Sequence, residues 1–462
     1  MIVPKREVVI VYGMAERKTI LLVNPWIYDF AAYDFWIKPL GLLYMSSFLR
    51  KNGYAVEFID CLDPWNQQMI KNAHPRSPRR YSSGHGKYFK EAIPKPDVLK
   101  GIPKNYYRYG ITPQIFRETI LRLPCPDMVF VTSMMTYWYP GVFETIRIVK
   151  ELMPETPVIL GGNYVTLCPD HAALSGADFL LAGEGEGNTA ALLERIWGEK
   201  PGFIPDAENL DSYPYPAYDL IFHPDQLPIM TSRGCPFDCA YCASRLLNPR
   251  FRRRNHEQVM EEMFFWHQRL GVINFSLYDD AFLVGPEEMA IPLLREIVKR
   301  GLPWQCHCPN GLHLREITDE IALLMFKAGF KTIRFGFETA DMERQRETGG
   351  KVTSGDLQRA IGYLKKAGYE AQEIGIYLLC GMPGQSAAEV RESILFVKSC
   401  GARPIMAEYS PIPGTALWEA ALQASLFNIA SEPLYHNNTL LPCRGENFTY
   451  DMHQSLKLLT RS

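Results

Sequence analysis

The sequence predicts an α/β protein of two units, an N-terminal doubly wound, Rossmann-like domain followed by a partial (β/α)6 barrel of the TIM type. Two observations carry this. Apolar runs of strand length alternate with amphipathic segments of helix length, the pattern of parallel sheets covered on both faces. Glycines and acids cluster where those runs end, which is where open sheets and barrels bind their ligands. The expected boundaries are 1–200 for the first unit, with an insertion at 62–125, a linker at 201–226, the barrel at 227–425 and a C-terminal extension at 426–462.

In the first unit, Thr19-Ile-Leu-Leu-Val-Asn-Pro25 is a continuous apolar strand, and 40–51 follows as an amphipathic helix closed by Asn52-Gly53. Ala55-Val-Glu-Phe-Ile-Asp60 is the second strand. After the insertion come Asp127-Met-Val-Phe-Val-Thr132, a helix over 142–152, the strand Pro157-Val-Ile-Leu160 ending in Gly161-Gly162, and Ala177-Asp-Phe-Leu-Leu181 before Gly183-Glu-Gly-Glu186. Ligands of such a sheet lie outside the carboxyl ends of its strands, so Asn24, Ser133, Gly161, Gly162, Asn163 and Gly183 form the candidate crevice.

The insertion reads as no single regular element. Between Asn66 and Gly110 ten Lys or Arg stand against two acids, Glu91 and Asp97, with Tyr81, Tyr88, Phe89, Tyr106, Tyr107 and Tyr109 interleaved. We expect those tyrosines to pack on neighbouring structure, and the segment to shape the substrate entrance. The linker, rich in Pro, Asp and Tyr, reads as an extended strap over the surface.

The second unit opens on a short apolar strand, Leu227-Pro-Ile-Met-Thr231, and then the loop Cys235-Pro-Phe-Asp-Cys239-Ala-Tyr-Cys242. A helix with a capping-box pattern starts at Asn255, and strands are expected at 272–278, 303–308, 332–338, 373–380 and 404–409, with helices over 318–328 and 354–367. Asp279-Asp280, Glu338, Gly381 and Gly384 stand at strand ends. Three thiols at C-x3-C-x2-C spacing suit a [4Fe-4S] cluster with one iron left open. Zinc would want a second C-x2-C pair, which is missing, and a ferredoxin would carry C-x2-C-x2-C with a fourth cysteine further on. Cys306 and Cys308 alternate on one strand, so both thiols can point into the barrel; packed free cysteines are the plainer account. Arg252-Arg-Arg254 reads equally as an anion site and as a solvated basic loop.

The cysteine loop, with these landmarks, resembles the radical S-adenosylmethionine (SAM) superfamily over about residues 225–425. The resemblance implies Cys235, Cys239 and Cys242 as cluster ligands, with SAM on the open iron. It further implies one of Asp279 and Asp280 facing the SAM amino group, Glu338 near the ribose hydroxyls, Gly381 and Gly384 beside the adenine, and Tyr241 packing nearby. The first unit, through Gly161-Gly162-Asn-Tyr-Val-Thr166 and Gly183-Glu-Gly-Glu186, is similar to the cobalamin-binding domain fused in front of many radical SAM methyltransferases. The D-x-H-x-x-G motif that supplies an axial histidine is absent; Asp170-His171 lacks the glycine.

This resemblance implies a radical SAM methyltransferase or related C–C bond former acting on a small molecule, with a [4Fe-4S] cluster, SAM and cobalamin as cofactors and a flavodoxin or ferredoxin as electron donor. A cobalamin-independent oxidoreductase or cyclase, with the first unit as scaffold, is the alternative, and a non-catalytic iron–sulfur protein a second. No catalytic residue is assigned. Eleven cysteines, no signal peptide and no membrane-length apolar run point to the cytoplasm, and a formal charge of −2 without an RNA-binding motif argues against nucleic acid.

Overall fold

The computed structural model describes residues 17–71 and 77–461. Five parallel strands build the first sheet: β1 (Thr19–Asn24), β2 (Ala55–Asp60), β3 (Met128–Val131), β4 (Val158–Gly161) and β5 (Phe179–Leu181), in the order β2-β1-β3-β4-β5. The order reverses between β1 and β3, and an open sheet parts there at its carboxyl edge. The helices Leu40–Lys51 and Tyr139–Leu152 cover the sheet; the second begins earlier than its apolar pattern suggests, with a proline in its first turn. Apolar side chains alternate between two cores, Leu21 and Val23 on one face and Ile20 and Leu22 on the other, which is why β1 reads as one continuous run.

The insertion is more regular than expected. Its strand Tyr106–Tyr109 pairs antiparallel with Ile27–Asp29 on one side and with its other strand, Lys90–Ile93, on the other, and it ends in the helix Pro113–Arg122. Tyr88, Phe89, Tyr106 and Tyr109 are buried, as a packing role requires, whereas Tyr81 is exposed. Residues 72–76 of the insertion lie outside the described residues. The linker straps across as an extended segment whose Tyr218 is buried, with its hydroxyl donating to the Pro228 carbonyl.

The barrel has six parallel strands in sequence order: β6 (Leu227–Ile229), β7 (Asn274–Leu277), β8 (Gln305–His313), β9 (Phe330–Glu338), β10 (Ile374–Cys380) and β11 (Arg403–Glu408). Asn255 caps the helix His256–Leu270 through the Glu257 N–H, without the reciprocal half of a capping box; that box forms instead at Thr353 and Asp356. Cys306 and Cys308 share a core with the helix residues Val259, Leu294 and Ile321, on the outward face of β8. Both thiols therefore point to the helix side and not into the barrel; the intervening His307 faces inward instead, hydrogen-bonded to Asn274 (3.3 Å) and Thr332 (3.0 Å). Burial pushes the Cys306 thiol up to about 12, so neither cysteine is a ready ligand.

Both units are tied together. Arg233 donates to Glu186 (3.1 Å), Arg252 pairs with Glu184, and Asn437 of the C-terminal extension donates to Asp29 (2.8 Å).

Candidate active site

Cys235, Cys239 and Cys242 line one cavity of about 370 Å3 at the carboxyl ends of the barrel strands. The loop is pinned on both sides: Ala240 N–H donates to the Thr348 carbonyl (3.3 Å) and Leu417 N–H to that of Ala240 (2.9 Å). Gly349, at φ +125°, lets the chain pass so close that a Cβ there would stand 3.1 Å from the Cys239 Cα. The donor set suits a cluster. Among the described residues no three His, Cys, Asp or Glu side chains converge on one point as a lone ion requires, whereas a cubane takes each thiolate on a different iron.

Across the cavity, the Tyr241 hydroxyl donates to Glu338 Oε1 (2.7 Å) and accepts from Lys351 Nζ (3.0 Å), which also pairs with Glu338 Oε1 (2.7 Å). Glu338 thus meets Lys351 rather than Arg334, the salt-bridge partner its own strand offers. It does so at φ +70°, a conformation that costs a non-glycine residue on the order of 1–3 kcal/mol. Both contacts fall on Oε1, which leaves Oε2 to accept from a ligand. Lys351 was not legible in the sequence, because a lysine after two glycines in a loop carries no spacing signal.

The adjacent aspartates separate sharply. Asp279 is buried and accepts from Thr231 N–H (2.9 Å), Thr231 Oγ1 (2.7 Å) and Ser232 Oγ (2.6 Å), tying the end of β6 to β7; burial still pushes its carboxyl up to about 6. Asp280 opens onto the cluster cavity and accepts from Ser244 Oγ (2.5 Å). Of the pair, only Asp280 has acceptor capacity facing a ligand.

Asp280 also lines a second cavity, between the two units, of about 340 Å3, which continues into a lobe of about 240 Å3. All six crevice residues line these lobes: Gly161 and Gly183 the larger, Asn24 and Ser133 the smaller, Gly162 and Asn163 both. Asn24 is tied to Asp60 (2.7 Å), and Ser133 donates to the Gly161 carbonyl (2.7 Å). Gly162 is held to glycine by its neighbours. At φ +101° its missing Cβ would meet the Ser133 carbonyl oxygen at 2.1 Å, so it serves backbone packing as well as access. Gly41, missed in the sequence because it sits inside a helix, lines both lobes and has nothing within 4 Å of where its Cβ would be.

Among the described residues no histidine lines either lobe. A crevice floored by glycine backbone and walled by Leu40, Tyr278 and Trp138 suits a broad, largely apolar ring.

Gly381 and Gly384 are positive-φ turn residues directly after β10, outside the lining of the cluster cavity. The arginine run is employed elsewhere. Arg253 pairs with Glu288 and Arg254 with Asp211 (3.0 Å) and Glu262 (2.5 Å); with Arg252 on Glu184, the arginine run is neither an anion site nor a solvated loop.

A thiol-lined barrel mouth facing a glycine-floored crevice makes two adjoining candidate cofactor sites. Residues 229–397 match the Radical SAM superfamily and residues 106–193 the B12 binding domain. The chain is a radical SAM enzyme of the cobalamin-binding, methyltransferase-like kind, and its cofactors are a [4Fe-4S] cluster, SAM and cobalamin. It is 28% identical to the uncharacterized methyltransferase PH0819 of Pyrococcus horikoshii over 65% of this chain and 70% of that protein. It is 22% identical to the cytidylyl-2-hydroxyethylphosphonate methyltransferase of Streptomyces wedmorensis over 86% and 80%. It shares its fold with the radical SAM methyltransferase TsrM of Kitasatospora setae, solved with cobalamin and a [4Fe-4S] cluster bound (TM-score 0.65, 17% identity, 88% of this chain and 75% of that chain).

Proposed function

We propose that this enzyme reductively cleaves SAM at the cluster held by Cys235, Cys239 and Cys242 and methylates an unactivated carbon of a small molecule. One observation carries the reading: Asp280 lines both the cluster cavity and the interdomain crevice, so the two cofactor sites adjoin. When bound, the cluster and SAM supply an adenosyl radical and cobalamin the methyl group. The chain's residues do the holding. Asp280 accepts from the SAM ammonium as a charge-assisted bond. Glu338 offers Oε2 to the ribose hydroxyls while Tyr241 and Lys351 fix its other oxygen. Gly41, Gly161, Gly183 and Asn163 give the corrin its seat, Gly162 with Ser133 shapes the floor beneath, and Asn24 is braced by Asp60. The gain is alignment of the reacting groups.

All eleven cysteines are free thiols, and among the described residues no helix is long and apolar enough to cross a membrane. Both observations suit a reducing cytoplasm, where a flavodoxin or ferredoxin supplies the electron. The test is anaerobic reconstitution with cluster, cobalamin and SAM, followed by mass spectrometry of cell extract for a product one methyl heavier alongside 5′-deoxyadenosine. Formation of 5′-deoxyadenosine with no dependence on cobalamin and no methylated product would instead support the oxidoreductase or cyclase alternative.

A further inference from the structure

Below the cluster cavity the inward face of the barrel is polar, and its charge is one-sided. Arg334, Gly336 and Glu338 alternate along β9 on one face, and the last two line the cluster cavity. Arg334 therefore sits about 13 Å below Glu338 at the rise of a strand. Opposite it, in register on β10, is Gly375, and opposite Gly336 is Tyr377, which also lines the cluster cavity. Gly375 is what makes room for the arginine: a Cβ there would lie 2.6 Å from Arg334 Cδ and 2.7 Å from Nη1.

The guanidinium held in this way is poorly matched. It donates only from Nη1, to the carbonyls of Ile333 (3.0 Å) and Glu373 (3.3 Å), and among the described residues it forms no ion pair. Its Nε–Nη2 edge, the fork that grips an oxyanion side-on, has no protein acceptor among them. Burial lowers its affinity for the proton, the Tyr377 phenol on the neighbouring strand raises it, and Arg403, a second cation at the foot of β11, lowers it again. Nearby, His307 is held neutral by burial, its pKa pushed down to about 4, and stacks on Trp36 at 4.5 Å. Other buried arginines of this protein, such as Arg80, Arg233 and Arg254, all have carboxylate partners. Arg334 stands apart from them, and an anion joining a partly buried cation beside a second cation gains a charge-assisted contact.

Resting on the functional reading above, we propose that Arg334 anchors the substrate, and that the substrate carries an oxyanion, a carboxylate or a phosphate-type group, roughly 13 Å below the carbon that reacts at the barrel mouth. Gly375 is a positioning residue for that anchor, and Trp36, through its stack on His307, walls the same interior.

The test is calorimetric titration of the reconstituted holoenzyme, loaded with SAM and kept without reductant, using phenylphosphonate, benzoate and the neutral benzyl alcohol as probes. Expected is binding of one or both anions. Arg334→Gln should weaken it at least tenfold, Arg334→Lys by less, and Gly375→Ala should weaken it because the methyl takes the place of the Arg334 side chain. The anion bound more tightly identifies the group the substrate carries. Equal anion affinity in wild type and Arg334→Gln, benzyl alcohol binding as tightly as the anions, or no anion binding by a wild type that still binds SAM would overturn the inference and leave Arg334 as a solvated structural cation. A wild type that fails to bind SAM would overturn the functional reading itself, and this inference with it.

Discussion

The two cofactor sites face each other but are built of different material. The barrel mouth is made of side chains: three thiols from one loop, a carboxylate at the end of β7, and a tyrosine, glutamate and lysine locked on one oxygen. The interdomain crevice is made largely of backbone, with Gly41, Gly161, Gly162 and Gly183 in its lining and Asn24 and Ser133 already occupied by neighbours. A small charged ligand bound to a metal needs matched charges; a large ring held by contact area needs shape. The two sites should accordingly fail in different ways, one by loss of a functional group and the other by gain of volume.

The largest separation is expected from the thiols. Cys239→Ala should abolish SAM cleavage and most of the cluster absorbance while cobalamin content stays at the wild-type level; native 5′-deoxyadenosine formation in that variant would break the assignment. The converse change is Gly41→Phe. Its side chain enters open space rather than backbone, so cobalamin retained after gel filtration should fall at least tenfold with cluster absorbance intact. Equal cobalamin content would remove the crevice as the seat. Gly162→Ala tests the same site less cleanly. Its methyl would collide with the Ser133 backbone, so a loss of stability of about 1–3 kcal/mol should accompany any loss of cobalamin.

A smaller effect divides two neighbours within the barrel mouth. Asp280→Asn should weaken SAM binding by about tenfold to a hundredfold at an unchanged melting temperature. Asp279→Asn should instead cost about 1–3 kcal/mol of stability, since an amide nitrogen would face the donors of Thr231 and Ser232. Unchanged SAM affinity in Asp280→Asn would shift the leading contact to Glu338.

The smallest effect lies away from both sites, where the helix Tyr450–Arg461 packs against β11. Burial alone would raise the Glu408 carboxyl, yet His453 (3.1 Å) and Lys457 (2.7 Å) hold it at about 2. A carboxyl depressed in the fold stabilises above its unfolded value, near 4.3, and loses that contribution as pH falls toward 2. Protection of this helix from limited proteolysis should be constant from pH 8 to 5 and decline below about 4, without change in either cofactor at neutral pH. Decline already at pH 6 would show that another group holds the helix.

The sequence by itself determined the order of strands and helices, the cluster loop and the residues of the crevice, because those depend on local period, turn chemistry and the rule that parallel sheets bind ligands at their carboxyl ends. Asn24, Ser133, Gly161, Gly162, Asn163 and Gly183 were all readable this way, and all line the cavity. What stayed hidden was which way a side chain points and whom it meets. A period of two says that Cys306 and Cys308 share a face, but not that the face is the helix side. It also cannot tell Asp279 from Asp280, since the donors that consume Asp279 lie 48 and 47 residues back along the chain. Lys351 and Arg334 show the same limit. One lysine finds its carboxylate across a loop and one arginine finds none, and only the folded chain, by bringing distant polar groups within hydrogen-bond reach or leaving them without it, decides which charges are spent on the fold and which are left for a ligand.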